Sequence, residues 1–166
     1  MVDIFKYFLL FHPVIGATLV NFLGGNMNKS SEKWYYHLKK SKLTPPGYVF
    51  PIVWTALYIL LGLNIMTIYD KIRKLNRPAF YENVFLKDYL LFFEIQLLLN
   101  FSWGFAFFAF KNIIASLVIS VLMLLLTKYL LYKSWIIDKT SFYYLLPYGI
   151  WILFATYLNL QILLQN

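Results

Sequence analysis

The sequence predicts an all-α integral membrane protein: a five-transmembrane-helix bundle with a long first loop carrying a short helix. Three observations predict it. The chain is 61% hydrophobic and only 13% charged, whereas about a quarter of a soluble domain is charged. Five apolar stretches fill most of its 166 residues, namely Ile4–Leu23, Tyr48–Tyr69, Tyr89–Phe110, Ile113–Leu131 and Phe142–Leu164. Each is long enough to cross a hydrocarbon core of about 30 Å at about 1.5 Å per residue. Nothing has the alternating ten-residue rhythm of a membrane β-barrel, and backbone amides in hydrocarbon need partners within their own segment, so the spans are read as helices. A single domain over residues 1–166 is expected, with its two ends on opposite sides of the membrane.

The first stretch has no long basic region before it and no small-residue cleavage site after it, so it reads as a permanent span rather than a removed signal. It closes at Gly24-Gly25, a natural helix stop. The loop that follows, NMNKSSEKWYYHLKKSKLTPPG, is polar yet holds Trp34, Tyr35, Tyr36 and Leu38. Ser30 or Ser31 is placed to cap a short helix over Glu32–Lys39, whose aromatic side chains would rest on the bundle or at the headgroup level. Pro45-Pro46-Gly47 then gives a rigid entry to the second span. Asp70–Lys87 reads as a charged turn region. Lys111-Asn112 joins the third and fourth spans so tightly that they must be antiparallel neighbours, and Tyr132–Ser141 reads as the last turn. No internal repeat is visible, which disfavours the inverted halves of many secondary transporters.

The net charge of +8 comes from lysines and arginines in the connections. Anchoring to anionic lipid explains them better than nucleic-acid binding, and no nucleic-acid partner is expected. Nine basic residues fall on the side of the N-terminus and six on the other; by the positive-inside rule the N-terminus is cytoplasmic. The chain has no cysteine and two histidines, His12 and His37, so disulfides and thiolate chemistry are excluded and no metal site is expected.

Function is sought in the polar and aromatic residues inside the spans. Pro51, Trp54, Tyr58 and Gly62 follow one another at helical spacing in the second span. Gln96, Asn100, Trp103 and Phe107 do so in the third, and Tyr148, Trp151, Ala155 and Asn159 in the fifth. Amides and small residues in membrane helices commonly serve packing alone, and interfacial Trp and Tyr are ordinary. The three stripes together say more. Trp54, Trp103 and Trp151 lie well inside their spans, and each buried indole N–H wants a partner. Converging stripes would enclose a flat apolar chamber with a few hydrogen-bonding edges, suited to a large planar ligand. Glu94, about five residues into its span and about 200° around the helix from Gln96, reads as a structural pair or a neutral acid. His12, next to Pro13, reads as a hydrogen-bonded packing residue, and Lys128 as a snorkelling one. Ser102 and Ala106 form a small-xxx-small pair that offers a homodimer contact on the third span.

Four blocks resemble the translocator protein family, also called the tryptophan-rich sensory protein or peripheral benzodiazepine receptor family. They are WYYHLKKSKLTPP (Trp34–Pro46), VFPIVWTALYILLG (Val49–Gly62), QLLLNFSWGFAFF (Gln96–Phe108) and PYGIWILFATYLN (Pro147–Asn159). The resemblance implies a five-helix bundle, often dimeric, that binds porphyrins and other apolar ligands in a pocket under the first loop. It places Tyr35, Pro45, Phe50, Trp54, Gln96, Asn100, Trp103, Tyr148, Trp151, Ala155 and Leu158 at that pocket. It implies no required cofactor, with porphyrin or heme as ligand. Some members of the family degrade protoporphyrin under light; there Trp54 and Trp151 match the natural electron donors. In the binding reading Lys39 or Lys40 would meet the acidic propionates of the ligand; a transporter or scaffold for apolar metabolites is the third reading.

The sequence departs from the family pattern in the first loop and at the end of the fifth span. The loop lacks the usual Lys-Pro-x-Trp: Lys40 is followed by Ser41, Lys42 and Leu43, which removes one redox partner. No basic residue follows Lys139, so the cholesterol motif of animal members is missing. The looser match Leu126-Tyr129-Lys133 lies in the fourth span. These features lean towards a bacterial inner membrane, with a mitochondrial outer membrane as the alternative.

Overall fold

The computed structural model describes residues 4–25, 28–74 and 79–166, and not the side chains of 21–25, 28, 29 and 79–83. Among the described residues all regular structure is helical. The elements are α1 (Ile4–Gly25), α2 (Asn28–His37), α3 (Val49–Lys74), α4 (Ala79–Gly104), a π-helical turn (Phe105–Ala109), α5 (Ile113–Ile137) and α6 (Lys139–Gln165). α3 packs against α1 and α6, α5 against α6 and α4, and α4 closes the ring on α3. The outer surface carries Ile52, Ile59, Leu98, Ile114, Leu125, Ile150 and Leu153 exposed, as lipid-facing helices require.

Among the described residues, four stretches are long and apolar enough to cross a membrane: Val49–Lys74, Val84–Ala109, Ile113–Ile137 and Lys139–Gln165. The helix count therefore differs from the five spans predicted. The described apolar part of α1, Ile4–Val20, is shorter, and α2 adds a short helix of a different kind.

The helices also overrun the predicted spans, because hydrophobicity marks the hydrocarbon depth and not the helix end. α3 continues to Lys74 and α4 begins at Ala79, so most of the predicted charged turn is helical; residues 75–78 lie outside the described set. The turn predicted over Tyr132–Ser141 contracts to Asp138, whose carboxylate accepts from the Ser141 amide at 3.0 Å and caps α6. Charged residues on these overhanging turns pair between helices: Lys6 with Asp70, Lys71 with Asp138 at 3.5 Å, and Lys133 with Asp88 at 3.1 Å. At the other end Lys111 turns the chain at φ 52°, and the Asn112 side chain accepts from the Ala115 amide to start α5.

Two features set how closely the helices approach. Gly62 of α3 lies against the Leu10 carbonyl of α1; a β-carbon there would sit 2.0 Å from that oxygen. A buried polar network then ties four helices together. The Asn64 amide nitrogen (α3) donates to the Ser141 hydroxyl at 2.7 Å and the Ser141 carbonyl at 3.0 Å, while the Tyr89 hydroxyl (α4) donates to Asn64 Oδ1 at 2.9 Å. The hydroxyls of Tyr89 and Ser134 (α5) are 2.7 Å apart. All four side chains are essentially sealed from solvent, so each polar atom needs the partner it has.

Candidate functional site

α3, α4 and α6 bring their stripes together as their periodicity requires. Trp54 stacks on Tyr58 one turn along α3, with ring centroids 5.5 Å apart. It meets Trp151 of α6 nearly perpendicularly, at 89° and 6.4 Å, and Tyr148 edge-on at 6.3 Å. Phe50 meets Trp151 edge-on at 5.9 Å. These are ordinary distances for attractive edge-to-face pairs.

The amides of α4 organise this cluster. Gln96 Nε2 donates to the Tyr148 hydroxyl at 2.7 Å and Asn100 Nδ2 donates to it at 3.3 Å. The Tyr58 hydroxyl in turn donates to Asn100 Oδ1 at 2.5 Å. Tyr148 thus accepts twice and keeps its own O–H. Two buried polar atoms of the cluster, the Trp151 indole nitrogen and Gln96 Oε1, have no hydrogen-bond partner among the described residues.

Trp103 belongs to a second, adjoining cluster. Its ring is stacked on Phe107 at 5.0 Å and 8°, and its Nε1 donates to Asn159 Oδ1 on α6 at 3.0 Å. The π-helical turn brings Phe107 and Phe108 beneath α2, where Trp34 and Tyr35 pack edge-on against them. Such single π-turns are often found at functional sites. α2 is fixed there by the Ser31 hydroxyl, which donates to the Phe108 carbonyl at 2.6 Å. Ser31 is therefore a bundle contact rather than the predicted helix cap. Burial raises the Tyr35 phenol above its ordinary value.

The cationic side chain expected to meet an acidic ligand group is engaged elsewhere. Lys40 Nζ donates to the carbonyls of Tyr35 at 2.5 Å, Leu38 at 2.9 Å and Tyr36 at 3.3 Å, and lies 4.5 Å from the Tyr35 ring centroid. It closes the C-terminus of α2, a favourable place for a cation. Partial burial lowers the Lys40 ammonium from its usual value. Lys39 is held by its backbone, with both its N–H and its carbonyl bonded to the Asn166 side-chain amide.

Of the other predicted residues, Pro45 and Ala155 are half-buried and Leu158 is buried. An open groove lined by Ser30, Glu32, Lys33, Tyr36 and His37 runs along α2 and contains none of the predicted site residues. Ser102 and Ala106 do not form one outward face: Ser102 is exposed and bonds its own Leu98 carbonyl, whereas Ala106 is buried. The π-turn that begins between them breaks the i, i+4 relation on which the pair depends. Tyr58, Asn159 and Phe107 contact the predicted residues Asn100 and Trp103, and their places in the stripes are the signal that finds them. The long α4 also moves Glu94 to fifteen residues after Ala79, deep in its span rather than near its start, and sets it 2.9 Å from His12 Nε2.

Known proteins resemble the chain along most of its length. A tryptophan-rich protein TspO from Chlorobaculum tepidum is 32% identical over 163 residues, covering 97% of this chain and 98% of its own. A tryptophan-rich sensory protein from Cereibacter sphaeroides is 30% identical over 159 residues, covering 96% and 90%. The translocator protein of Sus scrofa is 27% identical over 152 residues, covering 89% and 86%. The match to the TspO/MBR family runs over residues 11–165. With its bundle of apolar helices, the chain is an integral membrane protein and belongs to the TspO/MBR family.

Proposed function

We propose that the protein binds tetrapyrroles, porphyrin or heme among them, and other flat apolar ligands between α3, α4 and α6, with α2 and its connection to α3 as the cover. The observation that carries this reading is the Trp54–Trp151–Tyr148 cluster around the two α4 amides. It combines large aromatic faces with unsatisfied polar atoms at Trp151 Nε1 and Gln96 Oε1. Buried polar atoms without partners are costly, and a ligand offering an acceptor to the indole N–H relieves that cost. A macrocycle burying both faces on indoles would draw most of its affinity from apolar contact. The other parts of the reading are that α1 completes five spans, that the N-terminus is cytoplasmic, and that the host is a bacterial inner membrane. A homodimer through α4 would use Ser102 without Ala106.

The test is titration of the reconstituted protein with protoporphyrin or heme, followed by tryptophan fluorescence. Quenching that saturates at one ligand per chain is expected. Unchanged affinity in both Trp54→Ala and Trp151→Ala would overturn the assignment.

The near-perpendicular contact of Trp54 with Trp151 favours a second reading, light-dependent porphyrin breakdown with these indoles as electron donors. Illumination of the protoporphyrin complex would then yield a new absorbing product, formed more slowly in Trp54→Phe and Trp151→Phe. Product formation at the wild-type rate in both would reject it. Flux of the ligand across liposomes separates either reading from transport of apolar metabolites.

A further inference from the structure

We propose that His12 and Glu94 form a one-proton site inside the membrane whose occupancy holds α1 against α4. The argument begins with Pro13. A proline has no N–H, so the carbonyl four residues earlier, that of Leu9, loses its helical partner. His12 Nδ1 lies 2.9 Å from that same Leu9 oxygen. A carbonyl only accepts, so Nδ1 carries a proton and the tautomer is fixed. The ring is held further by Phe8, stacked on it at 5.3 Å and 17°, and by Phe93 of α4 at 5.9 Å. Nε2 thereby lies across the helix boundary from Glu94 Oε1, 2.9 Å away, although the two are not aligned as a hydrogen bond.

With Nδ1 protonated, a neutral imidazole presents a lone pair at Nε2. An ionised carboxylate presents lone pairs as well. Two acceptors at 2.9 Å repel each other, so one proton must lie between them, as imidazolium with carboxylate or as imidazole with carboxylic acid. The surroundings strengthen the demand. Glu94 stands near the middle of the apolar span Val84–Ala109. Its side chain is half-exposed on the outside of the bundle, while that of His12 is 12% exposed. Hydrocarbon cannot solvate a bare carboxylate there.

Several other charged and titratable groups described on the packed elements have partners of their own. On α1, Lys6 pairs with Asp70 of α3. On α3, the Tyr58 hydroxyl donates to Asn100, and the Tyr69 hydroxyl accepts from Arg73. On α4, Asp88 accepts from Tyr129 and pairs with Lys133, both of α5, and Tyr89 bonds Asn64. Where α3 faces α1 closest to the site, it offers Gly62 to the Leu10 carbonyl. Among the described residues the pair is thus a polar bridge between two helices that otherwise meet through Phe93 at the His12 ring and Phe101 at Gly16. Losing its proton would replace an attractive close contact with repulsion between two acceptors and loosen α1 from α4.

The experiment exploits the absence of cysteine. Spin labels at Phe11→Cys and Leu98→Cys, both exposed positions on α1 and α4, report the interhelix distance in the full chain reconstituted in lipid nanodiscs. A short distance is expected while the pair holds its proton, giving way to a longer one once the proton is lost, along a one-proton curve across a pH series. Glu94→Gln supplies a permanent N–H to His12, and His12→Gln supplies one to Glu94; each is expected to keep the short distance at every pH. A wild-type distance indifferent to pH would overturn the proposal. So would variants that follow the wild-type pH course, or a Glu94→Gln protein that stays separated throughout.

Discussion

Gln96 on α4 and Tyr148 on α6 are joined by a hydrogen bond of 2.7 Å between two side chains almost completely removed from solvent. The bond fixes the phenol at the point where Trp54, Asn100 and Gln96 meet. Tyr148→Phe keeps the ring and deletes the acceptor, leaving two amide N–H groups without it. A buried donor left unpaired costs about 1–3 kcal/mol, and hydrogen bonds between membrane helices average about 0.6 kcal/mol. A loss of about 1–2 kcal/mol in reversible detergent unfolding is expected. Tyr148→Phe should also widen the distribution of Gln96 and Asn100 side-chain amide signals in NMR spectra.

Trp54 and Trp151 meet edge to face, yet they should differ as ligand contacts. Trp151 Nε1 is buried without a partner. In Trp151→Phe the apolar face survives and the donor does not, so ligands carrying an acceptor should bind about tenfold more weakly, which is about 1.4 kcal/mol. Ligands without an acceptor should bind equally well or better, because an unsatisfied donor has gone. Trp54→Phe should weaken both ligand kinds alike. Calorimetric titration with a matched pair of planar ligands, one bearing a carbonyl, distinguishes the two outcomes.

The stripes of α3, α4 and α6 are legible in the sequence because period alone decides which residues share a helix face, and Trp54, Tyr58, Gln96, Asn100, Tyr148 and Trp151 do share the faces that meet. Pairings between helices distant in sequence are not so legible. The His12–Glu94 contact depends on where α1 lies against α4, and no periodicity encodes that. Ser134 and Ser141 are equally silent, since a serine in an apolar helix ordinarily bonds its own preceding turn, as Thr127 does with the Met123 carbonyl. The π-turn leaves no mark either: Phe105–Ala109 has the composition of any apolar helix. Helix ends are misplaced by hydropathy because the last turns stand in the headgroup region, where Lys71, Asp88 and Asp138 find partners.

Asn64 is the only side chain that bonds both Ser141 and Tyr89 among the described residues. Asn64→Leu fills a similar volume but removes the amide acceptor of the Tyr89 hydroxyl and the amide donor to Ser141 in a dry core, leaving Tyr89 only Ser134 and the Ser141 hydroxyl only the residue 64 carbonyl. An unfolding loss of about 1–3 kcal/mol is expected. Adding Tyr89→Phe should recover part of that loss, since removing both partners of a buried bond is milder than removing one. A double-mutant cycle with no coupling between the two positions would contradict the network.

Gly62 and the Leu10 carbonyl leave no room for a methyl group. An alanine β-carbon would lie 2.0 Å from the carbonyl oxygen and 3.0 Å from its carbon, and both are backbone atoms that cannot rotate away. α1 must move off α3, which would drag the Lys6–Asp70 pair and the His12–Glu94 contact with it. Gly62→Ala should therefore destabilise far more than Gly47→Ala, where a β-carbon meets nothing within 4 Å. Thermal unfolding of the two variants side by side in the same detergent checks the contrast.

Lys40 draws three carbonyls at the end of α2 to one ammonium group. Lys40→Met keeps the aliphatic stem over Tyr35 and removes the charge, so the last turn of α2 loses its cap. Faster hydrogen exchange over residues 34–40 is expected, with little change in α3 to α6, whose contacts are separate. Because α2 covers Phe107 and Phe108 through Trp34 and Tyr35, a looser α2 should speed both entry and departure of a bound porphyrin and change its affinity less than either rate. A porphyrin with esterified propionates should respond to Lys40→Met as the free acid does, since the ammonium is already committed to the helix. A selective loss of affinity for the free acid would instead place Lys40 at the ligand.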